Sequence, residues 1–173
     1  MLPKRTEIRR KVSEILKGKT DAGGNVFASA VYPLDEDALP ALLIYARHER
    51  SERWTDSPPQ DKRKLDLVVQ CFVMSEWDLD DKLDTLSEQV ATLLNAYDAL
   101  DGLVESMEYR ECNFRYSDDG EIPAGSVEMQ WEITYIADIE REDPSELVPF
   151  ERSHVDYNMS GTIAAEDMIE LPQ

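Results

Sequence analysis

Asp78, Asp80, Asp81 and Asp84 crowd into seven residues and offer a divalent cation several oxygen ligands. A small metal-dependent enzyme is one reading of that cluster. The cluster lacks the glycine and the closing glutamate of a calcium loop. It also opens a helical pattern, where the helix dipole stabilises first-turn carboxylates without any metal. His48-Glu49-Arg50-Ser51-Glu52 begins as a zinc-protease motif does, but Glu52 stands where the second histidine is required. His48 and His154 are the two histidines of the chain, too few for a histidine-rich metal site. Gly18-Lys19-Thr20 resembles the end of a phosphate loop. Position 13, where that motif needs glycine, is Ser, and the helix precedes the turn instead of following it. Cys71 and Cys112 have no metal-type spacing, and reduced thiols in the cytoplasm are expected. No nucleophile elbow is present. The residues therefore assign no catalytic, cofactor-binding or metal position, and a non-enzymatic protein without cofactor is expected.

The charge narrows the classes further. The 173 residues carry 18 basic and 37 acidic side chains, a formal net charge of −19. Such a surface is a poor general binder of nucleic-acid phosphates or of anionic membrane. A hydrophobic share of 42% in ordered patterns excludes a disordered acidic tail. The charge is uneven: residues 1–20 hold seven basic groups against two acids, and residues 139–173 hold nine acids against two arginines. No apolar run is long enough to span a bilayer, and MLPKRTEIRR lacks the apolar core of a signal peptide.

The elements that must position these residues are legible in the periodicity. Ile8, Val12, Ile15 and Leu16 share one face of a helix over about 4–17, stopped by Gly18. Val26–Tyr32 reads as a strand. Ala41–Tyr45 is a continuous apolar run, suited to a strand covered at least partly on both faces. Residues 48–63, charged and containing Pro58-Pro59, read as a long exposed loop. Leu65, Leu67, Val69, Cys71 and Val73 give the next strand one apolar face, with Lys64, Asp66 and Gln70 opposite. Leu79, Leu83, Leu86, Val90, Leu93, Leu94 and Tyr97 stripe a helix over about 78–97. Strands at 104–116 and 126–137 flank the turn-rich SDDGEIPAG. The second of these alternates Val127, Met129, Trp131, Ile133 and Tyr135 with polar residues.

The order α-β-β-β-α-β-β predicts an α+β fold. A mostly antiparallel sheet of about five strands should carry two helices on one face. This domain is expected over 1–138, followed by an acidic, extended C-terminal arm over 139–173 that is too small for its own core. Trp131 and Trp77 are expected in the core. Trp54, in the charged stretch with nothing apolar nearby, is a partner anchor or lies under the domain's own edge.

The segment RTEIRRKVSEILKGKT-DAGGNVFASAVYPLDEDALPALLIYARHE resembles the start of tail terminator proteins of long-tailed bacteriophages and prophages, the tail completion or minor tail protein U-like family. The shared pieces are a basic amphipathic helix, a T-x-A-G turn, V-F-x-S, a connector ending L-P-A-L and an apolar strand ending in Tyr. LDLVVQCFV, DDKLDTLSEQVATLL and VEMQWEITY follow in the family's order, so that the resemblance covers about residues 5–137.

The resemblance implies a structural virion protein located in the neck region of the tail and assembled in the host cytoplasm. It forms a ring, a hexamer in this family, that caps the tail tube and stops its polymerisation. It also offers the surface for head attachment. The implied partners are other copies, the tail tube protein and a head completion or connector protein. DNA would pass through a negative lumen without specific binding, and no membrane is involved. The alternative is another neck or connector ring protein, such as a head completion protein. The expected contact residues are Arg5, Arg9 and Arg10 on the basic helix, Trp54, and Phe150 and Tyr157 in the arm.

Overall fold

A computed structural model describes residues 2–29, 36–117 and 122–139, and the backbone of two strands at 152–159 and 162–170. Residues 1–139 form one unit and 140–173 another.

Helix α1 spans Lys4–Leu16 and buries the four predicted residues Ile8, Val12, Ile15 and Leu16. Each such burial contributes about 2 kcal/mol. The chain leaves α1 through Lys17, which is extended, and Gly18, whose φ of +72° is left-handed. That conformation carries little cost for glycine alone. The Gly18 N–H donates to Gly23 O at 2.7 Å and closes the turn, so this segment is a helix stop and not a phosphate cradle.

Strand β1, Val26–Phe27, pairs parallel with Leu42 and Leu43. It is shorter than the predicted 26–32: Ala28 and Ser29 form a bend, and 30–32 lie outside the described residues. Strands β2, Ala41–Asp56, and β3, Pro59–Met74, form one long antiparallel hairpin. Helix α2 follows at Leu79–Asn95, then β4, Ser106–Ser117, and β5, Ala124–Asp138. The sheet order is β1-β2-β3-β5-β4, antiparallel apart from β1. The predicted α+β architecture is thus the observed one.

Residues 48–63 are not a loop. They are the outer halves of β2 and β3, turning at Ser57-Pro58. The stretch lacks the apolar alternation of a half-buried strand, so local periodicity does not reveal it. Its order comes from cross-strand charge and from a third strand. Arg53 lies 3.7 Å from Asp61, and Glu49 lies 3.7 Å from Arg63. On the far side of β3, β5 continues to Asp138, which accepts from Gln60 Nε2 at 2.8 Å. Pro59 is tolerated as the first residue of its strand.

Both helices pack on one face of the sheet. Leu65, Leu67, Val69, Cys71, Val127, Met129, Trp131, Ile133 and Tyr135 meet the stripes of α1 and α2 in a single core. The opposite face is not uniformly polar. Ala41, Leu43 and Val68 are fully buried there, as the apolar run 41–45 predicted for β2. Trp77 corrects the expectation of a core position. It sits in the turn between β3 and α2 and is 92% exposed, because α2 starts two residues later with its apolar stripe already turned inward.

In the second unit, β6, Arg152–Met159, and β7, Thr162–Glu170, pair antiparallel from Arg152 opposite Glu170 to Met159 opposite Thr162. The segment read as an extended arm therefore contains a two-stranded ladder of its own.

Helix α2 packs tightly on the sheet at Gly125, where an added Cβ would lie 2.6 Å from Leu83 Cδ1. Gly125→Ala should destabilise the domain by about 1–3 kcal/mol through overpacking. Gly24→Ala, with open space around the position, should change stability by less than about 1 kcal/mol. Urea denaturation of the two variants is the check.

Candidate functional site

The carboxylates that suggested metal chemistry are used locally. Asp78 hydrogen-bonds the Ser75 hydroxyl and lies 2.9 Å from Lys82 Nζ. The Ser75 bond first, and Lys82 second, hold its carboxyl below the usual range. Asp80 and Asp81 lie in the first turn of α2. Among the described residues no group of three His, Cys, Asp or Glu side chains is placed to hold a metal ion.

The His48-Glu49 motif lies on a strand, and its glutamate is a structural hub. Glu49 Oε1 accepts from the Tyr135 hydroxyl at 2.5 Å, and Oε2 lies 3.4 Å from Arg5 and 3.7 Å from Arg63. One carboxylate thus ties α1, β2, β3 and β5 together. Burial first, and this bond second, push the Tyr135 phenol up to about 12.

Arg5 and Arg9, one turn apart on α1, line one shallow pocket with Tyr45, Arg47 and His48. Arg5 turns to Glu49. Arg9 is half-buried and donates to Ala28 O at 2.9 Å and Thr6 Oγ1 at 3.4 Å, fastening α1 to the segment after β1. Arg10 is exposed, with no ion pair among the described residues. Phe150 and the side chain of Tyr157 lie outside the described residues.

Two further carboxylates organise the other face of the sheet. Glu128 is buried and pairs with Arg47 Nη2 at 2.5 Å, with the Tyr45 hydroxyl at 3.5 Å. Arg47 is the unpaired residue of a bulge between Ala46 and His48, and bulges re-aim side chains in this way. Glu132 gathers Arg110 at 2.7 Å, Arg50 at 3.2 Å and Lys64 at 3.9 Å. Both carboxyls are held below the usual value, Glu128 chiefly by its bond to Arg47 and Glu132 chiefly by its bond to Arg110. Alternation alone hinted at these positions; the shared partners come from strands distant in sequence.

Large aromatic side chains are also left exposed. Helix α2 lies over β3 and β5 and leaves β4 uncovered. Tyr109, Phe114 and Tyr116, at 43%, 42% and 59% exposure, follow one another on the helix side of this edge strand. Between β4 and α2 runs a groove of 870 Å³ lined by Ala91, Leu93, Tyr109, Cys112 and Phe114, with Asp84, Glu88 and Lys19 on its rim. At the other end of the sheet, Trp54 is 52% exposed, with Lys62 Nζ 4.6 Å from its ring centroid. Half of it is therefore covered by its own hairpin.

The depressed carboxyls set an acid dependence. Their stabilisation is complete above the ordinary value of 4.5 and is lost as pH falls through the lower folded-state values. Glu128→Gln should cost about 1–2 kcal/mol at neutral pH and flatten the loss of stability below pH 4.5, as measured by urea midpoints against pH.

The surfaces on offer are thus edges, grooves and charge, with no assembled catalytic constellation among the described residues. No curated protein matches the chain. The family described as phage minor tail protein U matches residues 3–135, a span that takes in both helices, β1 to β4 and most of β5. The chain belongs to the phage minor tail protein U family and is a structural component of a phage tail.

Proposed function

We propose that the protein is a tail terminator. Copies form a ring, six in number by the family resemblance, that caps the head-proximal end of the tail tube. One face of the ring adds to the open tube end, and the other lacks the surface that recruits another tube ring. Polymerisation therefore stops, and the outer face receives the head completion or connector protein. The function is physical and requires no catalysis or cofactor.

The observation that carries this reading is the family match across nearly the whole first unit. Two physical features support it. The sheet ends in two dissimilar edges, the polar outer half of β2 and the aromatic β4, as head-to-tail association requires. A net charge of −19 per copy suits a lumen through which DNA moves without adhering, since phosphate contacts would be unfavourable.

Electron microscopy of particles assembled without this protein tests the reading. Tails well beyond normal length are expected. Tails of normal length that stay detached from filled heads would instead identify a head completion protein and overturn the terminator role.

A further inference from the structure

We propose that the shallow pocket between α1 and β2, lined by Arg5, Arg9, Arg47 and His48, is a carboxylate-binding site that receives an acidic peptide segment of a partner protein.

Arg9 is the anomaly. Its guanidinium is half-buried, and its partners among the described residues are neutral: the Ala28 carbonyl at 2.9 Å and the Thr6 hydroxyl at 3.4 Å. A charge partly withdrawn from water is stabilised by an opposite charge. The surroundings do not make up the deficit. Arg5 and Arg63 share one carboxylate, Glu49, at 3.4 and 3.7 Å. Arg47 takes Glu128 at 2.5 Å. Four arginines thus have two carboxylates between them, and two positive charges are left over. Asp66, opposite His48 in the β2–β3 ladder, lies 3.7 Å from Arg50.

The other charged clusters show no such excess. Around Glu132, the cations Arg50, Lys64 and Arg110 meet Glu132, Asp66 and Glu108. The α2–β4 groove has Asp84 and Glu88 against Lys19. On a chain with a net charge of −19, the pocket of Arg5 and Arg9 runs against the rest of the surface.

The pocket has the size and the donors for an oxyanion. It offers 480 Å³, and Arg47 enters its lining as the extra residue of the β2 bulge. A guanidinium carries five N–H donors in a planar fork suited to carboxylates. The bonds within the chain occupy one or two of them on each of these arginines, so donors remain for an added oxygen. The same bonds hold the three side chains in place, and less rotamer freedom is lost on binding.

Charge selects a peptide over nucleic acid. A duplex would bring phosphates past the pocket onto the negative surface around it, where they are repelled. One or two carboxylates on a peptide meet the cationic pocket alone.

Fluorescence anisotropy of the full chain with a short labelled peptide of alternating Glu and Ser tests the site. Saturable binding is expected. Arg5→Gln and Arg9→Gln should each weaken it roughly ten-fold or more. Lys11→Gln removes the same charge from the opposite side of α1, where Lys11 meets Asp101, and should change binding by less than about two-fold. Circular dichroism melts establish that the variants fold. Arg5 is exposed, so Arg5→Gln keeps the test decisive if Arg9→Gln, which releases α1 from Ala28 O, does not fold.

No saturable binding, or an equal loss in Lys11→Gln, would overturn the proposal. Tighter binding of a short DNA duplex than of the acidic peptide would also overturn it, since the pocket would then be a phosphate site. The site stands apart from the terminator role, which tail length in particles lacking the protein judges separately.

Discussion

The antiparallel ladder between β3 and β5, unbroken from Gln60 opposite Asp138 to Met74 opposite Ala124, is the constraint on which the rest of the fold depends. It fixes the register that puts Leu65, Leu67, Val69 and Cys71 beside Ile133, Trp131, Met129 and Val127 on the helix side. A slip of one residue would send each of these side chains to the other face. The same ladder carries the order outward past the core. Because β5 runs on to Asp138, the polar half of β3 stays paired, and β2 is held against it.

The helical layer is narrower than the sheet it covers. Helix α1 serves the β1–β2 side and α2 the β3–β5 centre, which leaves the hairpin end and β4 without a lid. An exposed edge strand bearing large aromatic side chains invites association, and soluble proteins ordinarily blunt such edges with charge. Here the charge sits on α2, at the groove's rim, and does not cover the aromatic row. The two uncovered ends of the sheet are thus unlike, one polar and one aromatic.

Carboxylates of the strands, Glu49 of the zinc-protease-like stretch among them, hold the fold together. Glu49, Glu128 and Glu132 each receive cations or hydroxyls from several strands. Exposed ion pairs contribute little singly, but these carboxylates are half-buried or buried and shared, where the loss of one partner leaves a costly unpaired charge. On a protein with a net charge of −19, placing its arginines against these few carboxylates also relieves repulsion at the points where strands meet.

The sequence by itself determined the elements and their inward faces. The 3.6-residue stripes of α1 and α2, the alternation of β3 and β5 and the stop at Gly18 are local patterns, and each was legible because its signal lies within one segment. The family resemblance also lay there, as an order of such segments. Only the tertiary structure decided the rest. The strands within 48–63 depend on β5, some seventy-five residues away, and on ion pairs that no local window contains. The exposure of Tyr109 and Phe114 depends on where α2 ends sideways, which no local window contains. The helix periodicity places Arg5 and Arg9 one turn apart; that Arg5 meets Glu49 and Arg9 donates to Ala28 O depends on β2 and on the segment after β1. Periodicity reports which face a side chain takes; what stands opposite that face is a property of the assembled layers.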